Sequence, residues 1–265
     1  MRRGTSVNAC LLDCSKAFDK CRYDKLFQKL IDRDFPPIVI RILIFAYEEQ
    51  AGCVKLGGLR SRTFKISNGT RQGSVLSPAL FSIYLDNLLV TLRKMGLGCQ
   101  IGGLWYGACS YADNLVLLAP NRDVLQKMIQ VCEQYAMEHN LKFSTDSIPS
   151  KSKTKCILLS GKQNKVKYPD PVMLNGDALP WVESADHLGH IIDQSITMEK
   201  DCRRTRAKYV SKSLEIRNTL GLVDPELIMK ALQVYCSDAY GCMLWDLGSP
   251  EAESFFKCWN TNVCM

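Results

Sequence analysis

Asp13 and Asp113 are two carboxylates placed where they could do chemistry together. Asn8 to Leu12 is a short apolar run that reads as a buried strand, and Asp13 closes it. Trp105 to Tyr111 and Leu115 to Ala119 read as two further strands, joined by Ala112-Asp113-Asn114, so Asp113 lies in a tight turn. If these strands are neighbours in one sheet, the two carboxylates converge. Hard oxygen donors so placed suit a pair of divalent cations about 3.5–4 Å apart, one activating a hydroxyl and one steadying a leaving group in phosphoryl transfer. Either aspartate alone is an ordinary turn former, so the surrounding residues decide the reading.

The elements that must position this pair follow from hydrophobic spacing. A helix is expected from Arg22 to Arg33, with Leu26, Leu30 and Ile31 on one face, stopped by Pro36-Pro37. Ile38 to Gln50 reads as a second, strongly apolar helix. Cys53 to Leu56 and Thr63 to Ile66 alternate around Gly57-Gly58 as a hairpin. Ser77 at the N-cap with Pro78 at the first helical position starts a helix to about Met95. Asn121 caps another through His139, with Leu125, Met128, Ile129, Cys132 and Ala136 at helical spacing. Strands are expected at Cys156 to Leu159 and His187 to Ile192. From Ile196 the chain reads as helical, in two pieces split near Gly221 to Pro225. The sum is an α+β fold followed by a small appendage.

Composition excludes several classes. In 265 residues, 46% apolar and 23% charged content is ordinary globular usage, which argues against disorder and collagen-like structure. The longest apolar stretch, Ile38 to Tyr47, is interrupted by Arg41, so no membrane contact is expected. No apolar run follows Met1-Arg2-Arg3 at signal-peptide spacing. The 13 cysteines are odd in number and contain no Cys-x-x-Cys, which favours reduced, buried thiols over disulfides or zinc. His187 and His190 have no neighbouring cysteine. An intracellular location is expected, with nucleus and cytoplasm left open. The net charge of +7 is unevenly spread. Val54 to Arg71, Lys151 to Lys167 and Lys200 to Arg217 are rich in basic residues, with only Asp201 and Glu215 as acids among them. Any one such run is ordinarily a solvated face, but three favour a polyanionic partner.

Five stretches in one order carry a family resemblance. Leu12-Asp13-Cys14-Ser15-Lys16-Ala17-Phe18-Asp19 resembles the first palm motif of reverse transcriptases, and Asn68 to Phe81, with Arg71-Gln72-Gly73 and Ser77-Pro78, resembles the second. Tyr111-Ala112-Asp113-Asn114 resembles the third. Leu141-Lys142-Phe143 with Lys153-Thr154-Lys155 looks like the fourth, and His187 to Ile192 like the fifth. Order and spacing are similar to non-LTR (LINE-type) retrotransposon polymerases over residues 7 to 193. Tyr240-Gly241 and Trp245 in the tail are similar to the segment that follows in such elements.

The resemblance implies a polymerase palm, an antiparallel sheet backed by helices, over 1–193 and a partial helical thumb over 194–265. It also implies RNA-directed DNA synthesis on an RNA template and DNA primer, with dNTP as substrate and two Mg²⁺ ions as cofactors. Asp13 and Asp113 would hold the metals with the Cys14 carbonyl. Phe18 would lie under the incoming sugar and exclude a 2′-OH, or be a core phenylalanine. Arg71, Gln72 and Gly73 would contact nucleotide and template, with Gly69 and Gly73 allowing close backbone approach. Lys155 could sit near the triphosphate or simply be solvated. His187, Leu188 and Gly189 would form a primer-gripping hairpin. Arg203, Arg204, Arg206 and Lys208 would lie along the primer–template backbone.

Two departures qualify this expectation. The third motif of the family carries two consecutive aspartates, and here the second is Asn114. The neutral amide removes one negative charge where two cations must gather, so activity is expected to be impaired or lost. The family also places a basic fingers region before the first motif, whereas only twelve residues precede Asp13. The chain therefore reads as a fragment with fingers and endonuclease absent. The alternatives are a non-catalytic nucleic-acid binder or inert relic, and a nucleotidyl cyclase on the same topology, which the Arg71-Gln72-Gly73 match disfavours. Nothing in the sequence speaks to oligomeric state.

Overall fold

β1 (Val7–Asp13) is buried from Asn8 to Leu12, as expected of a central strand covered on both faces. The computed structural model to which it belongs describes residues 6–71, 73–145, 152–161, 167–221, 225–236 and 239–263. The chain divides into two units. One comprises Ser6–Leu158 with Lys167–Trp181, and the other is built mainly from Val182–Met265.

The first unit continues through α1 (Ala17–Lys20), α2 (Tyr23–Ile31) and α3 (Pro37–Glu48). Two nested short hairpins follow: β2 (Ala51–Gly52) pairs β5 (Phe64–Lys65), and β3 (Lys55–Leu56) pairs β4 (Leu59–Arg60) across Gly57-Gly58. Next come α4 (Ser77–Lys94), β6 (Gln100–Ile101), β7 (Leu104–Trp105), β8 (Ala108–Tyr111) and β9 (Asn114–Ala119). α5 (Arg122–Glu138), β10 (Lys155–Leu159) and the hairpin β11 (Met173–Leu174) with β12 (Asp177–Ala178) complete it. The sheet order is β10-β1-β9-β8, and β9 runs antiparallel to both its neighbours, β1 and β8.

Helices α2, α4 and α5 bury Leu26, Leu30, Phe81, Tyr84, Leu88, Leu92, Leu125, Met128 and Cys132 in one core with Cys10, Leu12, Leu115 and Leu117 of the sheet. A polar knot runs through this core. Lys29 Nζ donates to the Tyr135 hydroxyl at 3.0 Å, that hydroxyl donates to the Tyr84 carbonyl, and the Tyr84 hydroxyl donates to the His139 carbonyl at 2.6 Å. Burial pushes the pKa of Lys29 down and those of Tyr84 and Tyr135 up, as expected where a charge loses its water.

The second unit carries the hairpin β13 (Ser184–His187) and β14 (His190–Asp193), then α6 (Glu199–Leu220), α7 (Pro225–Cys236), a short 3₁₀ turn over Cys242–Leu244, and α8 (Pro250–Val263). Its core is Cys202, Tyr209, Leu232, Cys236, Trp245, Ala252 and Phe255. At its centre the buried Asp201 carboxylate accepts from the Ile191 amide at 3.0 Å, His190 Nδ1 at 3.0 Å, Trp245 Nε1 at 3.2 Å and Arg204 at 2.8 Å. Burial alone would raise the Asp201 pKa, but His190, the Ile191 amide and Trp245 outweigh it and hold the carboxyl below its ordinary value.

Several expectations need correction. Leu76, not Ser77, occupies the cap position of α4; Ser77 is the first helical residue, and its hydroxyl donates to the Arg71 carbonyl at 2.5 Å instead. His187 to Ile192 is not one strand but the two arms of a hairpin, because Leu188 and Gly189 take positive φ values of 48° and 85°. The tail has a third long helix, α8, beyond the two expected. Cysteine burial is also less uniform than expected: Cys53 and Cys109 are exposed, on a short hairpin and on the edge strand β8. Among the described residues the cysteines are unpaired, and no helix is long and apolar enough to cross a membrane.

Asn121 does cap α5, its side-chain oxygen accepting from the Val124 amide at 2.9 Å. Asn121→Ala should therefore cost about 1 kcal/mol in denaturant unfolding; no change would show the cap to be idle. Asp201→Ala breaks a buried, multiply bonded charge and should cost about 3–5 kcal/mol. Because the folded pKa is depressed, this contribution is complete above the ordinary carboxyl pKa of about 3.9 and is lost as pH falls through the lower folded value. The difference in stability between wild type and Asp201→Ala should accordingly shrink below about pH 4; a gap independent of pH would exclude the charge as its source.

Candidate functional site

Antiparallel pairing of β1 with β9 places Asp13 directly opposite Asn114. The β8–β9 hairpin closes with Tyr111 opposite Asn114, leaving Ala112 and Asp113 as its two turn residues. Asp13 and Asp113 therefore share one end of the sheet, on adjacent strands. Ala112 holds φ at 51°, a left-handed conformation that costs a non-glycine residue about 1–2 kcal/mol, so this turn is strained beside the carboxylate it presents. Lys16, just after the other carboxylate, is likewise left-handed at 49°.

Both acids act electrostatically on Cys14. Burial pushes its thiol up to about 11, with the Asp113 and Asp13 carboxylates adding to the shift and a hydrogen bond from the Lys142 backbone and the Lys20 charge opposing it. Asp13 is the better anchored of the two. Its Oδ2 accepts from Ser144 Oγ at 2.8 Å, and Ser144 in turn shares a 2.6 Å hydrogen bond with Ser15 Oγ. The Asp13 amide donates to Thr154 Oγ1 at 3.3 Å. Lys153 Nζ lies 3.8 Å from Asp13 Oδ2 with a side chain 74% exposed, so the pair adds little stability and the ammonium remains open to an incoming anion.

Asn114 Nδ2 is 3.5 Å from Asp113 Oδ1, at the outer limit of a hydrogen bond. A carboxylate in that place would repel Asp113; the amide donates to it. The donors at this sheet end, two carboxylates with an amide oxygen beside them, match a hard divalent cation in type but carry only two negative charges. Among the described residues, no group of three or more His, Cys, Asp or Glu side chains that could hold a metal gathers. The bridge between Cys14 and Phe143 uses the carbonyls of Asp13 and Lys142, leaving the Cys14 carbonyl outside that ladder.

The other expected residues are placed as follows. Phe18 is half-buried with its ring 4.9 Å from that of Phe81, at the margin of the core. Gly69 packs on the first-motif helix: at φ 90°, an added Cβ would lie 2.8 Å from the Asp19 carbonyl oxygen, and the Gly69 amide donates to the Cys21 carbonyl. Its close approach is thus to the protein's own backbone. Arg71 is exposed, Gly73 has φ 82° and open space around it, and Gln72 lies outside the described residues. Lys155 is half-buried on β10.

In the second unit, His187, Leu188 and Gly189 form the tip of β13–β14. Arg203 pairs with Glu251 at 2.9 Å. Arg204 is engaged by Asp186, Asp201 and the Gly189 carbonyl, so it ties the hairpin to α6, whereas Arg206 and Lys208 are exposed. Ser15, Lys153 and Thr154 lie within the first and fourth motifs but had no role assigned from the sequence, and Ser144 directly follows Phe143 of the fourth; motif membership does not say which side chain turns towards Asp13.

A sequence model of the family described as "Reverse transcriptase (RNA-dependent DNA polymerase)" matches residues 2–192. The Pol polyprotein from the type-1 retrotransposable element R2 of Nasonia vitripennis is 30% identical over 157 residues, covering 59% of this chain and 15% of that protein. The RNA-directed DNA polymerase from the mobile element jockey of Drosophila funebris is 26% identical over 251 residues, 89% of this chain and 26% of the relative. The chain thus spans between 15% and 26% of the length of these two proteins. Among solved structures, apo telomerase from Candida tropicalis matches with a TM-score of 0.56 at 13% identity, over 97% of this chain and 42% of that one. At that identity the likeness speaks for the fold, a polymerase palm of antiparallel sheet and helices with thumb helices following. The chain belongs to the reverse transcriptase (RNA-dependent DNA polymerase) family, among those of the non-LTR retrotransposons.

Proposed function

We propose that the chain carries the nucleotidyl-transfer centre of an RNA-directed DNA polymerase, in which a primer 3′-OH attacks the α-phosphate of a dNTP and pyrophosphate leaves. The observation that carries this reading is the register Asp13↔Asn114, which brings Asp13 and the turn residue Asp113 to one sheet end. Bound Mg²⁺ ions would supply Lewis-acid activation of the hydroxyl and neutralisation of phosphate charge. Asp13, Asp113 and the Cys14 carbonyl would hold them.

The chain's own residues would do the rest. Ser144 fixes the Asp13 carboxylate so that its orientation is set before substrate arrives. Lys153, exposed and beside Asp13, would draw in the triphosphate, a role the sequence had suggested for Lys155. Phe18, buttressed by Phe81, would stand against the sugar and select deoxynucleotides. The β13–β14 hairpin would grip the primer, and Arg206 on α6 would contact the backbone of an RNA template and DNA primer.

Asn114 favours a second reading, nucleic-acid binding with impaired or absent turnover. The amide donates towards Asp113 where a third carboxylate would add charge for the cations. Restoring that charge separates the two. Asn114→Asp should tighten Mn²⁺ binding, followed by electron paramagnetic resonance, by at least about tenfold and raise Mg²⁺-dependent primer extension. Asp13→Asn in the same background should abolish both. Unchanged metal affinity in folded Asn114→Asp would reject the sheet end as the metal site. Binding to an RNA–DNA hybrid should fall steeply with salt, and Arg206→Ala should reduce the log–log slope by about 1; a salt-independent affinity would reject a backbone-contacting thumb.

A further inference from the structure

The helical unit encloses a cleft of about 280 Å³ between α6, α7 and the tip of β13–β14. Arg204, Lys208 and Lys212 line it at four-residue spacing, on one face of α6, and no acidic side chain joins them in its wall. Arg204 is committed to Asp186, Asp201 and the Gly189 carbonyl. Among the described residues, neither Lys208 nor Lys212 makes a salt bridge, and Lys212 reaches only the Tyr235 carbonyl at 3.4 Å.

Two aromatic rings stand in the same wall. Tyr235 and Tyr240 are 62% and 65% exposed, far more than tyrosines serving a core. The Tyr240 ring stacks on His190, with centroids 5.1 Å apart and planes inclined by 21°, and His190 is itself fixed by Asp201. Gly189 passes so close that an added Cβ would lie 3.3 Å from the Tyr240 ring. The ring is thus held in place by the hairpin while most of its surface stays open. Beneath, Tyr209 and Phe255 make an apolar floor.

We propose that this cleft binds one unpaired nucleotide, its base stacked on Tyr240 with Tyr235 alongside and its phosphate held by Lys208 and Lys212. Cations and aromatic faces together are the chemistry of single-stranded nucleic-acid recognition, in which the strand is tracked by charge and the base by stacking. The volume sets the size of the ligand. Small-molecule sites range upwards from about 300 Å³, so a cleft of about 280 Å³ matches a single nucleotide in scale rather than a longer stretch of strand. An acidic peptide would satisfy the lysines but leave both rings unused. A free nucleotide and an unpaired residue of an RNA strand share this chemistry, and the competition arms below distinguish them. Every residue of the site lies in the helical unit, so it stands or falls independently of the sheet-end carboxylates.

The test uses the full chain and fluorescence anisotropy with a short single-stranded RNA and the same RNA annealed to complementary DNA. Tyr240→Ala should weaken single-strand binding by about tenfold and leave hybrid binding unchanged, while Tyr240→Phe keeps wild-type affinity. The double variant Lys208→Ala/Lys212→Ala should weaken single-strand binding at least as much. Competition by AMP would identify a free nucleotide as the occupant, and competition by the RNA strand alone would identify an unpaired residue; either outcome supports the cleft. Photocrosslinking of wild-type protein to 5-iodouridine RNA should map to Tyr235 or Tyr240, a readout independent of how the variants fold. The proposal is overturned by a Tyr240→Ala variant that binds as wild type, by equal loss on single strand and hybrid, by loss in Tyr240→Phe, by competition from polyglutamate equal to that from RNA, or by crosslinks elsewhere.

Discussion

The register between β1 and β9 is the constraint on which the sheet end depends. Side chains alternate along a strand, so a slip of one residue would turn Cys10, Leu12 and Cys14 out of the core and carry Asp13 to the opposite face. The same pairing ends at Asp13↔Asn114, so the packing that fixes the core also fixes the two acids. Beyond the register, only the strained Ala112 turn that closes β8 onto β9 and the Ser144 hydroxyl on Asp13 Oδ2 aim them. Core energetics and site geometry are here one quantity: loosening Leu12, Leu115 or Leu117 would loosen the carboxylates too.

Each unit also contains a buried polar knot, and the two do different work. Lys29, Tyr84, Tyr135 and the His139 carbonyl join α2, α4 and the end of α5 through hydroxyls and an ammonium, so their cost is desolvation and their return is a fixed helix register. Asp201 instead joins β14, α6 and Trp245 through one carboxylate, with Arg204 bringing the hairpin tip along. That single charge with several donors fastens the hairpin and Trp245 to α6, while α7 and α8 join them through the apolar core of Tyr209, Leu232, Cys236, Ala252 and Phe255.

Much of this was legible in the residues. The strand ending in Asp13 and the cap at Asn121 follow from local pattern, and the structure has them. The turn at Gly57-Gly58 is there too, but it pairs Lys55–Leu56 with Leu59–Arg60, and Phe64–Lys65 pairs with Ala51–Gly52 instead. The facing of Asp13 with the Asp113 turn was conditional on two distant strands being neighbours, which the β1–β9 register supplies. The misses have physical causes. Periodicity reads His187 to Ile192 as one strand because it does not register a left-handed leucine; the hairpin at Leu188-Gly189 was indicated by the family resemblance alone. Ser77 fits the composition of a cap, but its hydroxyl found the Arg71 carbonyl first. The role of Arg204 could not be read from a basic run, since the acids that occupy it come from β13 and from one turn earlier on its own helix. Long-range partners are what a linear pattern omits.

Gly241 carries one more consequence. At φ 74° it passes so near His190 that any β-carbon there would collide with the imidazole ring. Substitution would displace His190 from Asp201 and from Tyr240 together, untying the hairpin without touching a charged residue. Position 241 is therefore closed to every side chain, although it carries none of the charge or hydrogen bonding that it protects. The smallest residue of the unit is thereby one of those on which its hairpin most depends.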